Sequence, residues 1–491
     1  MSGTIVLGGG PSDEGAVTIS AMPEARFDDL RPDRRRSFAL RGSIGSIVAT
    51  RAEEVRSSLE AAAAAVADGH WVAGWVTYEA AAGLGGDFTT RPVVGTSFAD
   101  LPLVWFGVFV DRTAAERASG TYAIGEWAPT EGADAHRGAV ETVRDHIRNG
   151  RTYQVNHTFR LTAPFRGDVA TFYDDLAHSQ SGGYAAFIDA GRWQVASASP
   201  EAFFELRGRD LMTRPMKGTI ARGSDPGTDA ARREALLDSE KDRAENVMIV
   251  DMARNDLGRI AEVGSVRVPR LFDTEPYDTV WQLTSTVEGR LRPDVGLADV
   301  FTAMFPAASI TGAPKLAAME VIADLERTPR GIYTGAVGFG GPGPDGAPLW
   351  AFNVGIRTVL VDRRSATAWY GTGGGITYDS RPAAEYREAL LKTEVLERRG
   401  SDFSLLSTIR WDDGFHLLDR HLERLRSSAD HFGIPLDEAA VVDALEAGVG
   451  SGPARVRLTV GRDGSVDVTR TLLPAPADGP IRLVLDTVPI E

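Results

Sequence analysis

Short apolar runs with the length and composition of β-strands recur along the chain up to Gly400. Examples are GWVTYEAA, PLVWFGVFV, TYQVNHTFRLT and LWAFNVGIRTVLV, which are rich in aromatic and β-branched residues. Apolar residues recur at helical spacing in fewer places, namely RAEEVRSSLEAAAAAVADG, AVETVRDHIRNG and the segments at about 239–257, 313–326 and 382–399. Because the regular alternation of strand and helix in a doubly wound sheet is missing, the pattern predicts an α+β fold.

Changes in this pattern divide the chain into three predicted domains. They are an N-terminal half at 1–130, a main domain at 131–400 and a small α/β module at 401–491. The polar segment EWAPTEGADAHRG, near 126–138, is typical of a linker or long loop. In the last domain, FSLLSTIRWDDGFHLLDRHLERLRSSADHFGIPLD indicates a hairpin followed by an amphipathic helix. A chain of 491 residues is long enough for more than one core.

The composition excludes several classes of function. A formal net charge of -15 disfavours a nucleic-acid partner, which requires a basic face. A cysteine count of zero excludes disulfides, thiolate metal sites and a cysteine nucleophile. The sequence opens without a basic segment followed by an apolar one, and no apolar run approaches the ~18 residues of a membrane span. We therefore expect a cytoplasmic protein that binds neither nucleic acid nor membrane.

Lysine is rare, and its few positions indicate chemistry. Of 53 lysines and arginines only four are lysine, namely Lys217, Lys241, Lys315 and Lys392. A guanidinium stays protonated in proteins, whereas a lysine ammonium can lose its proton and act as a nucleophile. Lys217 lies in TRPMKGTIARG, between apolar residues and glycine, where desolvation would activate its amine. The alternatives are a bias in base composition and a lysine whose stem lies along a strand end while its ammonium reaches water.

Two predicted helices carry acidic residues on one face. Asp242 and Glu245 are three apart in DSEKDRAENVMIVDMARNDLGRI. Glu385 and Glu388 have the same spacing in SRPAAEYREALLKTEVLERRG, where Pro382 fits the first helical turn. Brought together, the two faces would supply the oxygen ligands that Mg²⁺ prefers. Two solvated helix faces are the alternative.

A glycine run follows an apolar strand at GTGGGITYDS. Backbone N–H groups from Gly371 to Gly375 can approach a carboxylate closely because no side chain intervenes. The spacing differs from that of a dinucleotide-binding loop, and no helix is predicted directly after it. The run therefore predicts an anion contact, with a tight turn as the alternative.

Several segments, taken in order, closely resemble motifs of the chorismate-binding enzyme family: SASPEAFFEL, TRPMKGT, EKDRAENVMIVDMARNDLG, FPAASITGAPKLAAME, FNVGIRT and GTGGGITYDSRPAAEYREALLK. The resemblance covers roughly 136–398, and GWVTYEAAAGL resembles the N-terminal half of the family. Anthranilate synthase component I, isochorismate and salicylate synthases, and aminodeoxychorismate synthase component I belong to it. The resemblance implies a two-layered β-sandwich core flanked by helices, chorismate as substrate and Mg²⁺ as cofactor.

The resemblance also implies roles for individual residues. Glu245 and Glu388 would hold Mg²⁺ directly, and Asp242 and Glu385 would act through its waters, with Asp242 standing where glutamate is more usual. Substrate contacts are implied for Ser309, Tyr333, Arg357, Gly373, Gly374, Gly375 and Lys392. Gln282 stands where the family commonly has histidine, and it can hydrogen-bond a leaving hydroxyl but cannot protonate it. Glu201 is our candidate for that proton.

Two positions distinguish the activities within the family. Isochorismate and salicylate synthases resemble one another in a lysine base at the position of Gln154, whose amide cannot take a proton. Anthranilate synthases usually have alanine at the position of Lys217. Lysine there, with the later S-I-T-G-A-P-K motif, resembles the aminodeoxychorismate synthases of 4-aminobenzoate and folate synthesis. That resemblance implies attack by Lys217 at ring carbon C2, followed by ammonia at C4.

The resemblance implies partners as well. Ammonia in such systems usually comes from a glutamine amidotransferase with a cysteine nucleophile, so we expect a separate glutaminase subunit or free ammonia. The C-terminal module resembles the small N-terminal portion of class IV pyridoxal-phosphate enzymes such as aminodeoxychorismate lyase, with Arg424 at the position that contacts phosphate. No lysine follows Lys392, so we predict no pyridoxal phosphate binding by this module alone; the rest of a lyase would be a further partner. Anthranilate synthase component I and a non-catalytic ligand-binding subunit are the alternative functions.

Overall fold

Antiparallel strands form most of the fold, and helices cover their faces. The computed structural model describes residues 24–31, 35–85, 87–180, 182–223, 225–277, 280–397, 403–432 and 434–473. The chain divides into two compact units, Met1–Ser401 and Asp402–Glu491.

Ten α-helices occur in the described part of the chain. Their bounds are α1 Val55–Ala67, α2 Ala133–Arg148, α3 Val169–Gln180, α4 Pro226–Asp238, α5 Glu240–Gly258, α6 Leu297–Met304, α7 Lys315–Leu325, α8 Pro382–Leu391, α9 Leu418–Phe432 and α10 Glu438–Gly448. Among these helices, none is both long and apolar enough to cross a membrane.

The strands number twenty-two over the same residues. Their bounds are β1 Glu24–Asp29, β2 Arg36–Ala49, β3 Trp71–Val76, β4 Val104–Ala114, β5 Tyr122–Ile124, β6 Ala128–Pro129, β7 Gln154–Gly167, β8 Tyr184–Ala190, β9 Trp193–Ser199, β10 Ala202–Arg207, β11 Asp210–Arg214, β12 Met216–Ala221, β13 Arg267–Pro276, β14 Val280–Arg290, β15 Gly312–Ala313, β16 Ala336–Pro342, β17 Pro348–Val354, β18 Thr358–Asp362, β19 Thr367–Ile376, β20 Leu405–Trp411, β21 Ala454–Val460 and β22 Val466–Leu472.

The first nineteen strands pair antiparallel in one continuous ladder. Its order is β13, β14, β11, β10, β17, β16, β3, β4, β2, β1, β8, β9, β18, β19 and β7. Strand β12 pairs with β14 at one end, and the short strands β5, β6 and β15 pair with β7 at the other. The ladder therefore has two ends far apart in strand order.

The ladder folds back on itself to form two layers. Trp75 on β3 and Leu360 on β18 are well separated in strand order, yet both belong to one buried apolar cluster. Trp105 stacks on Trp75 in the same cluster, with ring centroids 5.1 Å apart. Side chains from both faces thus fill one core, as in a β-sandwich. The predicted sandwich with flanking helices is confirmed.

Helices close the outer faces of the two layers. Helices α1, α5, α6 and α7 contribute to a second buried cluster, where Phe301 of α6 contacts Phe204 and Phe352 edge-on. Helices α3 and α8 contribute Phe172 and Ala389 to a third cluster over β7, β18 and β19. Helix α8 therefore lies on the glycine-rich strand β19.

Residues at the N-termini of the two acidic helices, α5 and α8, explain where these helices begin. Ser239 is the N-cap of α5, and its hydroxyl oxygen accepts the backbone N–H of Asp242 at 3.3 Å. Pro382 begins α8, as the sequence predicts, because its missing N–H is not needed in the first turn. Helix α8 ends at Leu391, earlier than the predicted 399, and a short 3₁₀ turn at Glu394–Leu396 follows.

The predicted linker near 126–138 is wrong. Helix α2 begins at Ala133, inside that segment, and β6 occupies Ala128–Pro129. Glu131 and His136 are both buried. Most of the segment is exposed, as its polar composition suggests, but Glu131 turns inward and bonds to His157 of β7.

The unit Asp402–Glu491 contains a three-stranded antiparallel sheet with the order β20, β21, β22. Helices α9 and α10 share its small apolar cluster, which includes Leu425 and Leu445. The side chains of β20 and β21 alternate between buried and exposed, so one face of this sheet is covered.

Candidate active site

Lys217 lies at an irregular point of β12. Met216 pairs with Thr284 and Thr219 pairs with Gln282, so the segment between them contains one residue more than its partner strand. Such a bulge redirects side chains and increases the local twist. Gly218, within it, has a φ of +97°, and a Cβ there would lie 3.0 Å from the Cβ of Asp242. Glycine is therefore needed for this close approach of β12 to α5.

The Lys217 ammonium faces the acidic helices. Its Nζ lies 4.0 Å from Oε2 of Glu245, and its side chain is 17% exposed. A Cβ added to Gly375 would lie 3.0 Å from the same Nζ, so the amine also reaches the glycine run of β19. Burial lowers the pKa of Lys217, and the Lys392 charge adds to this, while the Glu245 carboxylate opposes it. Lys217, the acidic helices and the glycine run thus meet in one place.

Glu201 is a buried carboxyl beside this lysine. The Ser309 hydroxyl donates to its Oε1 at 2.5 Å. Burial raises the pKa of Glu201 to about 7, against the opposing effects of the Ser309 hydrogen bond and the Lys217 charge. A carboxyl that titrates near neutrality can give or take a proton at physiological pH. The structure therefore brings Glu201 and Ser309 together with Lys217.

Helix α8 supplies carboxylates and a second lysine. Lys392 Nζ lies 2.9 Å from Oε1 of Glu388 and donates to the backbone oxygen of Gly373 at 3.0 Å. The Lys392 charge lowers the pKa of Glu388. Burial raises the pKa of Glu385, and the nearby Glu388 carboxylate adds to this rise. The two carboxylates of α8 therefore repel each other, with Glu385 half-buried and Glu388 exposed.

The carboxylates of α5 belong to the same electrostatic environment. Lys241 Nζ lies 3.9 Å from Oε1 of Glu245. Burial raises the pKa of Glu385 and the Lys241 charge partly opposes this rise, whereas the pKa of Glu388 is lowered mainly by Lys392, with a smaller effect of Lys241. The Asp242 carboxylate accepts the Ser239 hydroxyl at 2.5 Å. In the described part of the chain, these acidic groups do not place three ligand atoms within 4.8 Å of one another. Every potential metal ligand in these acidic groups is nevertheless a carboxylate oxygen. The ammonium groups of Lys217, Lys241 and Lys392 lie within 4.0 Å of these oxygens.

The glycine run presents backbone to this environment. Gly374 and Gly375 pair with His157 and Asn156 across β19 and β7. A Cβ on Gly374 would lie 3.5 Å from Oε2 of Glu385. A Cβ on Gly375 would lie 2.6 Å from the Gln154 amide nitrogen, which is closer than real Cβ contacts. Side chains are thus excluded where the backbone approaches the acidic and amide groups.

Tyr333 lies in the turn before β16, and Arg357 lies in the loop between β17 and β18. Neither makes a direct polar contact with Lys217 among the described residues. The Tyr333 ring packs on Gly371, and the Arg160 guanidinium lies 5.0 Å from its centroid. Arg357 has a φ of +49°, and its Nη1 donates to Oε1 of Gln180 at 2.5 Å. Burial lowers the pKa of Arg357.

Two other predicted residues are bonded elsewhere. The Gln282 side-chain oxygen accepts the Thr219 hydroxyl at 2.9 Å, next to the bulge that holds Lys217. Arg424 lies in the unit Asp402–Glu491, where its Nη2 donates to the Leu406 backbone oxygen at 2.9 Å and to Ser407 Oγ at 3.0 Å.

Gln154 has a larger place in the site than the sequence indicates. It is 1% exposed, and within the described part of the chain neither its Nε2 nor its Oε1 has a hydrogen-bond partner. A buried amide without partners costs free energy, so ligand or water contacts are expected at this position. The sequence compares Gln154 only with a lysine base; its position opposite the short strand β15 depends on long-range pairing.

The sequence is similar to several known proteins. A family model described as chorismate binding enzyme matches residues 109–398. Aminodeoxychorismate synthase component 1 of Klebsiella aerogenes is 44% identical over 255 residues, covering 51% of this chain and 54% of that protein. The protein of the same name from Bacillus subtilis is 37% identical over 265 residues, covering 54% and 55%. Anthranilate synthase component 1 of Streptomyces coelicolor is 41% identical over 258 residues, covering 52% and 49%. The chain thus spans about half the length of these relatives.

Solved structures share the fold. Anthranilate synthase component I from Streptococcus pneumoniae TIGR4 superposes with a TM-score of 0.61 at 25% identity, covering 79% of this chain and 95% of that one. The isochorismate synthase MenF from Escherichia coli superposes with a TM-score of 0.62 at 14% identity, covering 78% and 90%. Because the family model spans more than half of the sequence, the chain belongs to the chorismate binding enzyme family.

Proposed function

We propose that this protein aminates chorismate to 4-amino-4-deoxychorismate, with Lys217 as the nucleophile. The observation that carries the proposal is the position of the Lys217 amine, 4.0 Å from Glu245 and beside the glycine run. Burial lowers its pKa, and among the described residues its Nζ has no hydrogen-bond partner. A desolvated amine without a fixed partner is suited to covalent catalysis.

The reaction would proceed through two linked displacements. The neutral Lys217 amine attacks ring carbon C2, the conjugated double bonds shift, and the C4 hydroxyl leaves. Glu201, whose pKa of about 7 leaves part of it protonated at neutral pH, supplies the proton that converts this hydroxyl into water. Ammonia then attacks C4, the double bonds shift back, and the bond from C2 to the lysine nitrogen breaks. One hard substitution is thereby divided into two easier steps.

The acidic residues of α5 and α8 fit a magnesium ion. Mg²⁺ prefers oxygen ligands and usually takes one or two carboxylates while keeping several waters. Glu245 and Glu388 would hold it directly, and Asp242 and Glu385 would bond to its waters. The mutual repulsion of Glu385 and Glu388 is what a cation at this position would relieve. When bound, Mg²⁺ supplies positive charge that offsets and orients a substrate carboxylate.

Other residues of the chain would position the substrate. The backbone of Gly374 and Gly375 can approach the ring carboxylate because no side chain intervenes. Arg357 and Tyr333 are proposed to bind the enolpyruvyl carboxylate, and the unpartnered Gln154 amide can donate to the ring substituents. These contacts hold the ring with C2 toward Lys217, which favours reaction by orientation.

A glutaminase partner is part of the proposal. This chain has no cysteine, so it lacks the nucleophile of the usual glutamine amidotransferases. Ammonia would therefore come from a separate subunit or from solution. A high concentration of ammonium salt should replace the partner in vitro.

Mass spectrometry of the product tests this function directly. Chorismate, ammonium and Mg²⁺ are incubated with the full chain, with and without added aminodeoxychorismate lyase. The expected product carries an amino group in place of the C4 hydroxyl and yields 4-aminobenzoate only when lyase is present. Unchanged chorismate under both conditions would contradict the proposal.

Anthranilate formation is the second candidate, and one observation favours it. Anthranilate synthase component 1 of Streptomyces coelicolor is 41% identical, close to the values for the aminodeoxychorismate synthases. Its product, anthranilate, is fluorescent and needs no lyase. Fluorescence that grows in the absence of lyase would replace the first proposal by this one.

We expect the unit Asp402–Glu491 to bind no pyridoxal phosphate by itself. The sequence has no lysine after Lys392, so this unit cannot form the Schiff base that such enzymes require. The protein should be incubated with pyridoxal phosphate, desalted and examined by absorbance. A cofactor band retained after desalting would show that this expectation is wrong.

A further inference from the structure

Three buried side chains lie together behind the acidic helix α8. Glu131, His136 and His157 place one ligand atom each within 4.8 Å of one another, and among the described residues this is the one such group of three. Their exposed fractions are 4%, 1% and 1%. His157 Nε2 lies 2.9 Å from Glu131 Oε1. We call these residues the two-histidine cluster.

His136 is not satisfied by the protein. Its Nδ1 is buried and has no hydrogen-bond partner among the described residues. Its ring contacts those of Phe159 and Tyr386. A buried imidazole nitrogen that no protein group satisfies is available to a metal ion.

We propose that Glu131, His136 and His157 bind one divalent transition-metal ion, with Zn²⁺ as the best match. Two imidazoles and one carboxylate are a frequent zinc ligand set, and a fourth position remains for water. The set differs in kind from the oxygen-only carboxylates of α5 and α8, which suit Mg²⁺. Zinc bonds of about 2.0–2.2 Å require ligand atoms roughly 3.4 Å apart. The His157–Glu131 pair at 2.9 Å would widen slightly, and all three ligand atoms already lie within 4.8 Å of one another.

The position of the two-histidine cluster gives such an ion a structural role. His157 on β7 pairs with Gly374 on β19, in the glycine run. The Tyr386 hydroxyl, on α8 between Glu385 and Glu388, donates to the Glu131 backbone oxygen at 3.2 Å. An ion here would join α2, β7 and the segment before α2, directly beneath α8. It would fix the support of the proposed magnesium residues without touching the substrate. This inference does not depend on the proposed reaction.

A metal titration with the full chain tests the site. The protein is stripped with a chelator, saturated with Mg²⁺ to occupy the oxygen-only site, and then titrated with Co²⁺ and with Zn²⁺. We expect one tightly bound equivalent, with Co²⁺ giving the intense visible bands of a four-coordinate site with imidazole ligands. Absence of Zn²⁺ binding, or weak six-coordinate Co²⁺ bands only, would overturn the proposal.

Matched variants locate the ion. His136→Phe keeps an aromatic ring against Phe159 and Tyr386, and His157→Gln keeps a hydrogen-bonding group toward Glu131. Loss of a residue that only supports a ligand weakens metal binding by about tenfold, and each of these variants should weaken Zn²⁺ binding by more than that. His146→Phe, in the same helix but outside the cluster, is the control and should bind as wild type.

Thermal unfolding gives a second, independent reading. Zn²⁺ should raise the Tm of wild type and of His146→Phe relative to chelator, because an ion bound only to the folded state stabilises it. The Tm of His136→Phe should not respond. If His136→Phe and His157→Gln retain wild-type stoichiometry and affinity, the ion lies elsewhere and the assignment is wrong.

Discussion

Helix α5 carries two carboxylates that each lie near a largely buried lysine, Asp256 near Lys315 and Glu245 near Lys217. The two lysines differ in the number of hydrogen bonds that their ammonium groups make. Near the C-terminal end, Lys315 Nζ lies 2.7 Å from Asp256 Oδ2 and also donates to the Met304 backbone oxygen at 3.1 Å. Nearer the N-terminal end, Lys217 Nζ lies 4.0 Å from Glu245 and has no hydrogen-bond partner in the described part of the chain. Burial lowers the pKa of both lysines, so a shifted pKa alone does not identify a nucleophile. The Lys315 ammonium is held by hydrogen bonds, whereas the Lys217 amine is not and can therefore reach a substrate.

The largest expected effect is that of Lys217→Ala. The variant should lose amination by about a thousandfold or more, because the group proposed to form the covalent bond is gone. Chorismate and Mg²⁺ binding, measured by calorimetry, should persist because neither depends on the amine alone. Amination at the wild-type rate would show that the covalent route is wrong.

Lys315→Met should have the opposite profile. It leaves Asp256 buried without its partner, which we expect to lower the free energy of unfolding by about 3–5 kcal/mol. Urea denaturation measures this loss. Adding Asp256→Asn should recover part of the stability, since the unpaired charge is removed. At low temperature the folded variant should keep its amination rate; a loss as large as that of Lys217→Ala would erase the contrast between the two lysines.

Glu201→Gln should lower kcat by about a hundredfold, because an amide cannot donate the proton. The pH–rate profile should lose the ionisation near 7 that belongs to this carboxyl. Stability should change as well. Between the ordinary pKa of 4.5 and about 7 the folded state binds more protons than the unfolded state, so wild-type stability falls as pH rises through this interval. Urea midpoints from pH 4.5 to 7 measure this slope, which should be smaller in the variant but not zero, because burial also raises the pKa of Glu79 to about 7.

Lys241→Ala should have the smallest effect. Lys241 is 78% exposed, and its contact with Glu245 is 3.9 Å long. Exposed ion pairs contribute up to about 1 kcal/mol, so the free energy of unfolding should change by less than that. A chemical denaturation series alongside Lys315→Met makes the comparison. A large loss of stability would show that the exposure of Lys241 and Lys315 does not predict how much each contributes to the free energy of unfolding.

Local signals in the sequence predict the helices well. Ser239 caps α5, Pro382 begins α8, and the spacing of acidic residues places each pair on one face. These features depend on residues within one or two turns. The apolar runs that form strands and the glycine run of β19 can also be recognised in the sequence, because they too depend only on neighbouring residues.

Features that depend on distant residues are not predictable in this way. The bulge at Gly218 exists because β12 must pair with β14 while approaching α5. Glu131 and His136 lie in a segment whose polar composition is typical of a linker, and only their contact with His157 shows that they are buried. Composition cannot distinguish polar groups that face water from polar groups that bond to each other inside a core.

The ladder of strands has one further consequence. Lys217 comes from β12 at one end of the strand order, whereas Gly375 and Gln154 come from β19 and β7 at the other. A small molecule that contacts all three residues therefore joins two margins that share no backbone pairing among the described strands. Such a ligand would oppose separation of these margins and protect the amide hydrogens of β7, β12 and β19 from exchange together.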